Sequence, residues 1–278
     1  MIRRSIYILI LLMVMAAAAC TAQPTPTVAP TATTPAVTLS VSGSGSVTPV
    51  LAAIADEFHA ANPGIVLEVL PGSDTGDAVR GTVEGVLDFA AMSRAAKDEE
   101  VAQGIVYVPF GGSVTAIYTH ADVGVSALTG EQLTGIFTGT ITNWSEVGGE
   151  DLSIVVYIRD PEESNTVDIR ETFIGDAAFA EVAQLMNSQS DMQDAVAGVP
   201  GAIGYGTWAT AVARAAQVVS LTVDGLGVDN APETMQTVMG MGYMGNNVEA
   251  IQPLIDWLLS AEGQAALAAV GVVPLEAQ

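Results

Sequence analysis

The sequence predicts an α/β fold, because short apolar strands alternate with amphipathic helices along most of the chain. The strands are followed by turns rich in glycine and serine, and a helix start comes soon after each of these turns. The chain has 278 residues and half of them are apolar. That length and composition suffice for one large domain or two smaller ones, each with a buried core.

The N-terminus predicts a targeting segment. Residues 1–4, "MIRR", are basic, the next fifteen residues are almost entirely apolar, and Cys20 follows at once. A cysteine placed directly after a run of small residues resembles the lipobox of bacterial lipoproteins, whose cysteine is lipidated after cleavage. We therefore expect residues 1–20 to be a lipoprotein signal peptide that ends at the lipidation site Cys20. An ordinary signal peptide and a short membrane anchor remain open alternatives.

The stretch that follows predicts a tether. Residues 21–36 are rich in Thr, Pro and Ala and show no hydrophobic periodicity. Proline stiffens such a stretch towards polyproline II, and it offers no side chains for a core. We expect it to hold a folded body away from a membrane surface.

The folded body begins with a strand over residues 37–43, "VTLSVSG", which is β-branched and ends at glycine. Thr48 as N-cap and Pro49 at the first helical position predict a helix start. A second strand, "IVLEVL", follows at residues 65–70. A strand, a Gly-Ser turn and a helix N-terminus in this order can present backbone N–H groups to an anion. Many α/β proteins carry such turns without a ligand, so this signal alone is weak.

The same pattern recurs three more times. Residues 70–76 end a strand with "LPGSDTG", and residues 87–94 end another with Ser93-Arg94. Residues 154–166, "IVVYIRDPEESNT", place Arg159 ahead of Ser-Asn-Thr, where any of the three could cap a helix. Because ligands of open α/β sheets lie beyond the carboxyl ends of strands, we expect one shared anion site there.

Charge excludes several classes of partner. The formal net charge is −23, from 31 acidic and 8 basic side chains. So acidic a chain is a poor partner for nucleic acid or for an anionic membrane surface. An anion would have to be held by local cations against a repelling field, and Arg159 is the best placed of these.

Catalytic and metal sites are not predicted. The two histidines, His59 and His120, have no partner at metal-ligand spacing, and Lys97 follows no phosphate-loop glycine pattern. Acid pairs such as Glu99-Glu100 are typical of solvated charge. We therefore predict a protein that is not an enzyme and that uses no metal and no cofactor.

Five segments carry a family resemblance: "SGSGSVTPVLAAIADEF", "DFAAMSR", "EQLTGIFTGTITNWSEVGG", "PGAIGYGTW" and "IQPLIDWLLSAEGQAALAAVGVVPL". In this order they resemble the phosphate-binding proteins of bacterial ABC transporters. The resemblance implies a type II periplasmic-binding-protein fold, in which crossing strands join two α/β lobes and a ligand cleft lies between them. It implies a first lobe over residues 37–120, a second lobe over residues 121–228, and a return to the first lobe over residues 229–278.

The resemblance also implies a set of ligand residues, with two departures from the family pattern. Asn165 stands where the family has glycine, one residue further from the arginine than usual, and asparagine tolerates left-handed backbone well. Asp74 also replaces a glycine. The implied anion-binding residues are Ser46, Val47, Thr48, Ser73, Ser93, Arg94, Arg159, Ser164, Asn165 and Thr166.

Asp74 has two interpretations. It could cap the helix that begins near Thr75 and point to solvent. Alternatively, its carboxylate could accept a hydrogen bond from a protonated phosphate oxygen, which sulfate lacks at neutral pH, and so set selectivity.

The function implied by the resemblance is the capture of inorganic phosphate and its delivery to the permease subunits of an ABC transporter. We expect a monomer held by its lipid on the outer side of the cytoplasmic membrane, in the periplasm or at the cell surface. Another oxyanion or a small phosphorylated solute is an alternative ligand. An alternative function is phosphate sensing through a signalling partner rather than transport.

Overall fold

The computed structural model describes residues 36–273. The predicted signal peptide, Cys20 and nearly all of the predicted tether lie outside the described residues. Within residues 36–273 no helix is long and apolar enough to span a bilayer. These residues belong to one compact unit, so contacts between its parts can be described directly.

The first lobe alternates strands and helices, as the sequence predicts. Its parallel strands consist mostly of β-branched or apolar residues. The elements in chain order are β1 (Val37–Gly43), α1 (Thr48–Ala61), β2 (Ile65–Val69), α2 (Thr75–Val83), β3 (Phe89–Met92) and α3 (Asp98–Ala102).

The second lobe is entered through β4 (Ile105–His120), which is 16 residues long. The first helix of this lobe ends at Gly139, whose φ of 80° is left-handed. The elements that follow are β5 (Ala127–Leu128), α4 (Gly130–Thr138), β6 (Val155–Ile158), α5 (Ser164–Ile169), β7 (Gln184–Leu185), α6 (Gln189–Gly198), β8 (Ala202–Thr207), α7 (Trp208–Ala213), β9 (Val218–Ser220) and β10 (Thr222–Val223).

The chain then returns to the first lobe. A long antiparallel strand and two helices complete this part of the fold: β11 (Gln236–Met244), α8 (Val248–Leu259) and α9 (Ala261–Ala269). Both helices contribute apolar side chains to the first core, among them Leu254 and Leu267. The C-terminal segment therefore supports the lobe that was built first.

One sheet runs through both lobes in the order β2-β1-β3-β11-β4-β8-β6-β7, and β9 also pairs with β4. The first part of β4 pairs with β11 up to Val114, whereas the part from Thr115 onwards pairs with β8 and β9. The change of partner lies six residues before residue 120, where the resemblance placed the end of the first part of the first lobe. Met235, just before β11, packs in the second core. The β4 and β11 strands are thus the crossing strands.

Two main cores match the two lobes. The first surrounds α1 and includes Phe58 in an edge-to-face contact with Trp257, with ring centroids 5.5 Å apart. The second surrounds α4 and includes Trp144, which is fully buried and donates its indole N–H to the carbonyl of Gly201 at 2.8 Å. The tryptophans at 144 and 257 therefore serve packing.

Candidate functional site

Three loops of the first lobe meet at the carboxyl ends of β1, β2 and β3. The amide of Ser44 donates to Ala91 at 2.9 Å, and the amide of Ser73 donates to Gly43 at 2.9 Å. The amide of Ser93 lies 3.4 Å from the hydroxyl of Thr75. Parallel pairing of the strands brings these loops together, so the predicted residues Ser46, Thr48, Ser73 and Ser93 all line one cleft.

The cleft has a volume of about 840 Å³ and its opposite wall comes from the second lobe. Arg159 at the end of β6 and Ser164 at the start of α5 lie on this wall, as predicted. The wall also includes residues that the sequence reading missed: Asn187, Ser188, Gln189, Ser190, Thr210 and Arg214.

Arg159 is one of two arginines on this wall, the other being Arg214. Its backbone amide donates to the hydroxyl of Tyr205 at 2.9 Å, which fixes the end of β6. Its side chain is only 12% exposed, and Nη2 lies 3.9 Å from a carboxylate oxygen of Glu163. Its Nε and Nη1 are buried and have no hydrogen-bond partner among the described residues. Buried guanidinium N–H groups without partners are costly, so this arrangement is suited to an anion that accepts from them.

Glu163, rather than Ser164, Asn165 or Thr166, is the N-cap of α5. Its carboxylate accepts the backbone N–H of Asn165 at 3.0 Å, which satisfies one of the free amides of the first turn. The hydroxyl of Thr166 instead bonds to the hydroxyl of Tyr205 at 2.8 Å, and the side-chain amide of Asn165 is buried in the interior. The three predicted capping residues are therefore wrong, because the longer Glu163 side chain folds back over the helix end.

The β1–α1 turn also differs from the sequence expectation. Thr48 begins α1 and Val47 is its N-cap, without a side-chain hydrogen bond. The amide of Ser46 donates to the Ser44 hydroxyl at 3.2 Å, and those of Val47 and Thr48 donate to the Ser44 carbonyl at 2.9 and 3.0 Å. The turn therefore closes on Ser44, and it is the hydroxyls of Ser46 and Thr48 that line the cleft.

Arg94 lines the cleft, but its guanidinium is engaged by a carboxylate. It donates to both oxygens of Glu100, at 2.8 and 2.7 Å, and Glu100 is only 7% exposed. Glu100 also accepts the amide of Lys97 at 2.8 Å at the start of α3. These bonds neutralise Arg94 and fix the loop after β3. The hydrogen bond from Arg94 also holds the pKa of the Glu100 carboxyl below its ordinary value.

Arg94→Met is expected to lower the free energy of unfolding by about 1–2 kcal/mol at pH 7, because it leaves Glu100 without its charge partner. A carboxyl whose pKa is lowered on folding stabilises the protein above its ordinary pKa of 4.5, and that contribution is lost as the pH falls through the lowered value. Urea unfolding at pH 7 and pH 3 measures both effects. An equal difference between variant and wild type at the two pH values would contradict this role.

The residues missed by sequence reasoning follow the short strand β7. Residues 187–190, "NSQS", are polar and precede a helix, and Ser188 caps α6 by accepting the amide of Asp191 at 3.0 Å. This is the same strand–turn–cap signal as at the other loops, on a strand too short to recognise. Arg214 was not foreseen because its position in the cleft depends on α7, and it is paired with Asp194 at 3.1 Å.

Metal-ligand clusters of three or more His, Cys, Asp or Glu residues do not occur between residues 36 and 273. His59 lies exposed in the last turn of α1, and His120 accepts the amide of Asp122 at 3.1 Å at the end of β4. The lining of the described cleft is made mainly of hydroxyls, amides and arginines, and it also includes Lys97 and the carboxylates of Asp74 and Glu163.

A model of the PBP superfamily domain matches residues 28–257. The chain belongs to the PBP superfamily. Among solved structures of this fold, one from Clostridium perfringens, determined with bound phosphate, is described as a phosphate ABC transporter substrate-binding protein. It superposes with a TM-score of 0.67 at 29% identity, over 86% of this chain and 100% of that one. An ABC-type phosphate transport receptor from Vibrio cholerae, at 23% identity, shares the two-lobed fold with a TM-score of 0.56, over 84% and 99% of the two chains.

Curated proteins also match in sequence. The phosphate-binding protein PstS of Bacillus subtilis is 29% identical over 186 residues, which are 65% of this chain and 60% of that protein. The phosphate-binding protein PstS of Borreliella burgdorferi is 23% identical over 238 residues, or 79% of this chain and 83% of that protein. The match thus spans about 60% of the length of the Bacillus relative.

Proposed function

We propose that this protein is an extracytoplasmic substrate-binding protein that captures inorganic phosphate between its two lobes and delivers it to an ABC permease. The observation that carries the proposal is Arg159, whose Nε and Nη1 are buried beside the cleft without partners among the described residues. The match to relatives named as phosphate-binding proteins supports the choice of ligand.

The geometry supports capture by closure. The first lobe contributes the hydroxyls of Ser46, Thr48, Ser73 and Ser93, and the second contributes Arg159 and Ser164, so each lobe holds only part of an anion shell. Closure of the lobes on one anion would complete the shell and exclude water, which strengthens each charge-assisted hydrogen bond. Because the chain carries a net charge of −23, this local shell must overcome a repelling field.

In this proposal the other predicted ligand residues support the cleft and do not contact the anion themselves. Arg94 fixes its loop through Glu100, and Val47 is buried at the start of α1. Asn165 and Thr166 support the second wall from inside the lobe. The residues supply hydrogen-bond donors to an anion and no nucleophile or acid–base pair, so we propose binding without catalysis.

The function is tested by calorimetric titration of the purified protein with phosphate, sulfate, arsenate and molybdate. We expect phosphate to bind at micromolar or lower concentration and more tightly than sulfate. Heat with another oxyanion but none with phosphate would overturn the proposed ligand. Uptake of labelled phosphate by cells that lack the protein but express the permease then separates transport from sensing. Uptake is lost if the protein delivers phosphate to the permease, and it stays intact if the protein is only a sensor.

Asp74 is expected to act as a helix cap rather than as a selectivity residue. Its Oδ1 accepts the amide of Asp77 at 2.7 Å at the start of α2. Asp74→Asn keeps an acceptor oxygen for this bond and removes the charge, so stability should change by less than about 0.5 kcal/mol. Affinity for phosphate and sulfate should rise together, because a like charge leaves the cleft edge. Competition binding measures the ratio of phosphate affinity to sulfate affinity. A lower ratio in Asp74→Asn than in the wild type would show that Asp74 sets selectivity after all.

We propose further that Cys20 carries a lipid that holds the protein at the outer face of the cytoplasmic membrane. The support is the sequence alone: the sole cysteine directly follows an apolar and small-residue run. Cys20→Ser is expected to abolish labelling by a palmitate analogue and to release the protein from washed membranes. A variant that stays with the membrane after signal cleavage would refute lipid anchoring.

A further inference from the structure

A group of buried polar side chains joins the two lobes beside the cleft. Buried polar groups are unfavourable unless they are hydrogen-bonded, so a cluster of them marks a specific arrangement. All members of this cluster are at most 8% exposed: Ser46, Thr115, Asn165, Gln189 and Thr207. They come from the β1–α1 turn, the crossing strand β4, and three elements of the second lobe.

Asn165 is the centre of this cluster. Its Nδ2 donates to the hydroxyl of Thr115 at 2.6 Å, on the segment of β4 where pairing changes lobes. Its Oδ1 accepts from the side-chain amide of Gln189 and lies 3.4 Å from the hydroxyl of Thr207. One amide thus bonds to a crossing strand and to the starts of two wall elements.

Asp168 fixes the direction of these bonds. Its carboxylate accepts from the Thr115 hydroxyl at 2.5 Å. An ionised carboxylate is an acceptor only, so the Thr115 hydroxyl must donate its proton to Asp168 and accept the hydrogen bond from Asn165. The amide of Asn165 is then held with Nδ2 towards Thr115 and Oδ1 towards Thr207. Burial raises the pKa of Asp168 to about 6, so the carboxylate is ionised at pH 8.

The connection to the first lobe runs through Thr207. The single hydroxyl proton of Thr207 is shared between Oγ of Ser46, at the shorter distance of 3.0 Å, and Oδ1 of Asn165, at 3.4 Å. The hydroxyl of Thr210 donates to the backbone carbonyl of Ser46 at 3.1 Å. When Ser46 Oγ accepts from Thr207, its own proton is left to donate into the cleft. The second lobe therefore sets the orientation of a hydroxyl that belongs to the first lobe.

We propose that Asn165 is a positioning residue that couples the two walls of the cleft, by holding Thr207 and, through it, the anion-facing hydroxyl of Ser46. This inference rests on the proposed function for its ligand, though not for its geometry. The side chain of Asn165 thus connects the loop that carries Arg159 to the crossing strand and, through Thr207, to the first lobe.

The test compares Asn165→Ala with Thr207→Val, which removes only the hydroxyl, and with Thr207→Ser, which keeps it. At pH 8 we expect phosphate affinity to fall roughly tenfold in the first two variants and to stay near wild type in the third. The double variant, Asn165→Ala with Thr207→Val, should lose no more affinity than the single variant with the larger loss, because both substitutions break the same connection. The control is Asn143→Ala, which removes a cap on a second-lobe turn away from the cleft and should lower stability without changing affinity.

Hydrogen exchange measured by mass spectrometry gives a readout that needs no ligand. The amides of residues 46–48 are bonded to Ser44, and we expect them to exchange at least threefold faster in Asn165→Ala and Thr207→Val. Unchanged exchange in this turn, or equal affinity loss in Thr207→Ser and Thr207→Val, would overturn the coupling role. If the wild type binds no phosphate, the proposed function fails, and the exchange rates alone decide this inference. Should Asn165→Ala not fold, the two Thr207 variants still decide it.

Discussion

Arg159→Met is expected to weaken phosphate binding by roughly 10- to 150-fold, or about 1.5–3 kcal/mol, the range for hydrogen bonds to a charged group. The Arg159 side chain is only 12% exposed, and two of its guanidinium nitrogens have no partner among residues 36–273. Methionine keeps much of the side-chain volume and removes the charge and all donors. Stability should stay the same or rise slightly, because a poorly paired buried charge is removed. Calorimetry and thermal unfolding measure the two quantities.

Arg80→Met is the matched control for charge. Arg80 lies on α2 with a side chain that is 65% exposed and is paired with Asp77 on the surface. The substitution lowers the net charge by the same single unit, so any effect of the overall field on phosphate affinity appears in both variants. Equal affinity losses in the two variants would mean that Arg159 acts through the field alone, and would move the anion site elsewhere.

The strand ends of the first lobe were predictable because their signals are local. The β-branched run over Val37–Gly43 forms β1, and Asp74 caps a helix that starts at Thr75. Each of these features depends on residues within one turn or strand of one another. Parallel pairing then places the ends together without further information. Four of the predicted cleft residues on this lobe could be located in this way.

The second wall was harder to predict because four of its neighbouring residues compete for the N-cap position of α5. Glu163, Ser164, Asn165 and Thr166 are all chemically able to cap α5, and distant partners decide between them. Asn165 bonds to Thr115, which is 50 residues away, and Thr166 bonds to Tyr205, which is 39 residues away. No local pattern contains these partners. Once they hold Asn165 and Thr166 inside, Glu163 is left to cap the helix.

The role of Arg94 shows the same limit at shorter range. An arginine at a strand end beside a hydroxyl suggests an anion ligand, and the resemblance gave it that role. Glu100 lies only six residues away, but whether the two side chains meet depends on how the intervening loop turns into α3. A bidentate pair with a buried carboxylate uses the same donors that an anion would need. Composition alone does not decide between these partners.

Gly43→Ala is expected to lower the free energy of unfolding by more than about 3 kcal/mol, the combined scale of backbone strain and overpacking. Gly43 ends β1 with a φ of 145°, a conformation that residues with a Cβ rarely adopt. A Cβ here would overlap the carbonyl oxygen of Ala91 and come within 2.9 Å of its backbone nitrogen. These are backbone atoms of the paired strand β3, so no side-chain rotation relieves the clash.

Gly45→Ala separates this strain from the general effect of a methyl group in the same turn. A Cβ at Gly45 meets no atom within 4 Å, so the stability of Gly45→Ala should differ from wild type by less than about 1 kcal/mol, with a gain as the expected sign.

The carbonyl of Gly43 also accepts the amide of Ser73 at 2.9 Å, so pushing β1 away from β3 displaces two cleft loops at once. Gly43→Ala should therefore lose phosphate affinity even at temperatures where it remains folded. Chemical unfolding of both variants, with calorimetry on the folded fraction, measures this, and equal stability of the two would show that β1 and β3 can separate at little cost.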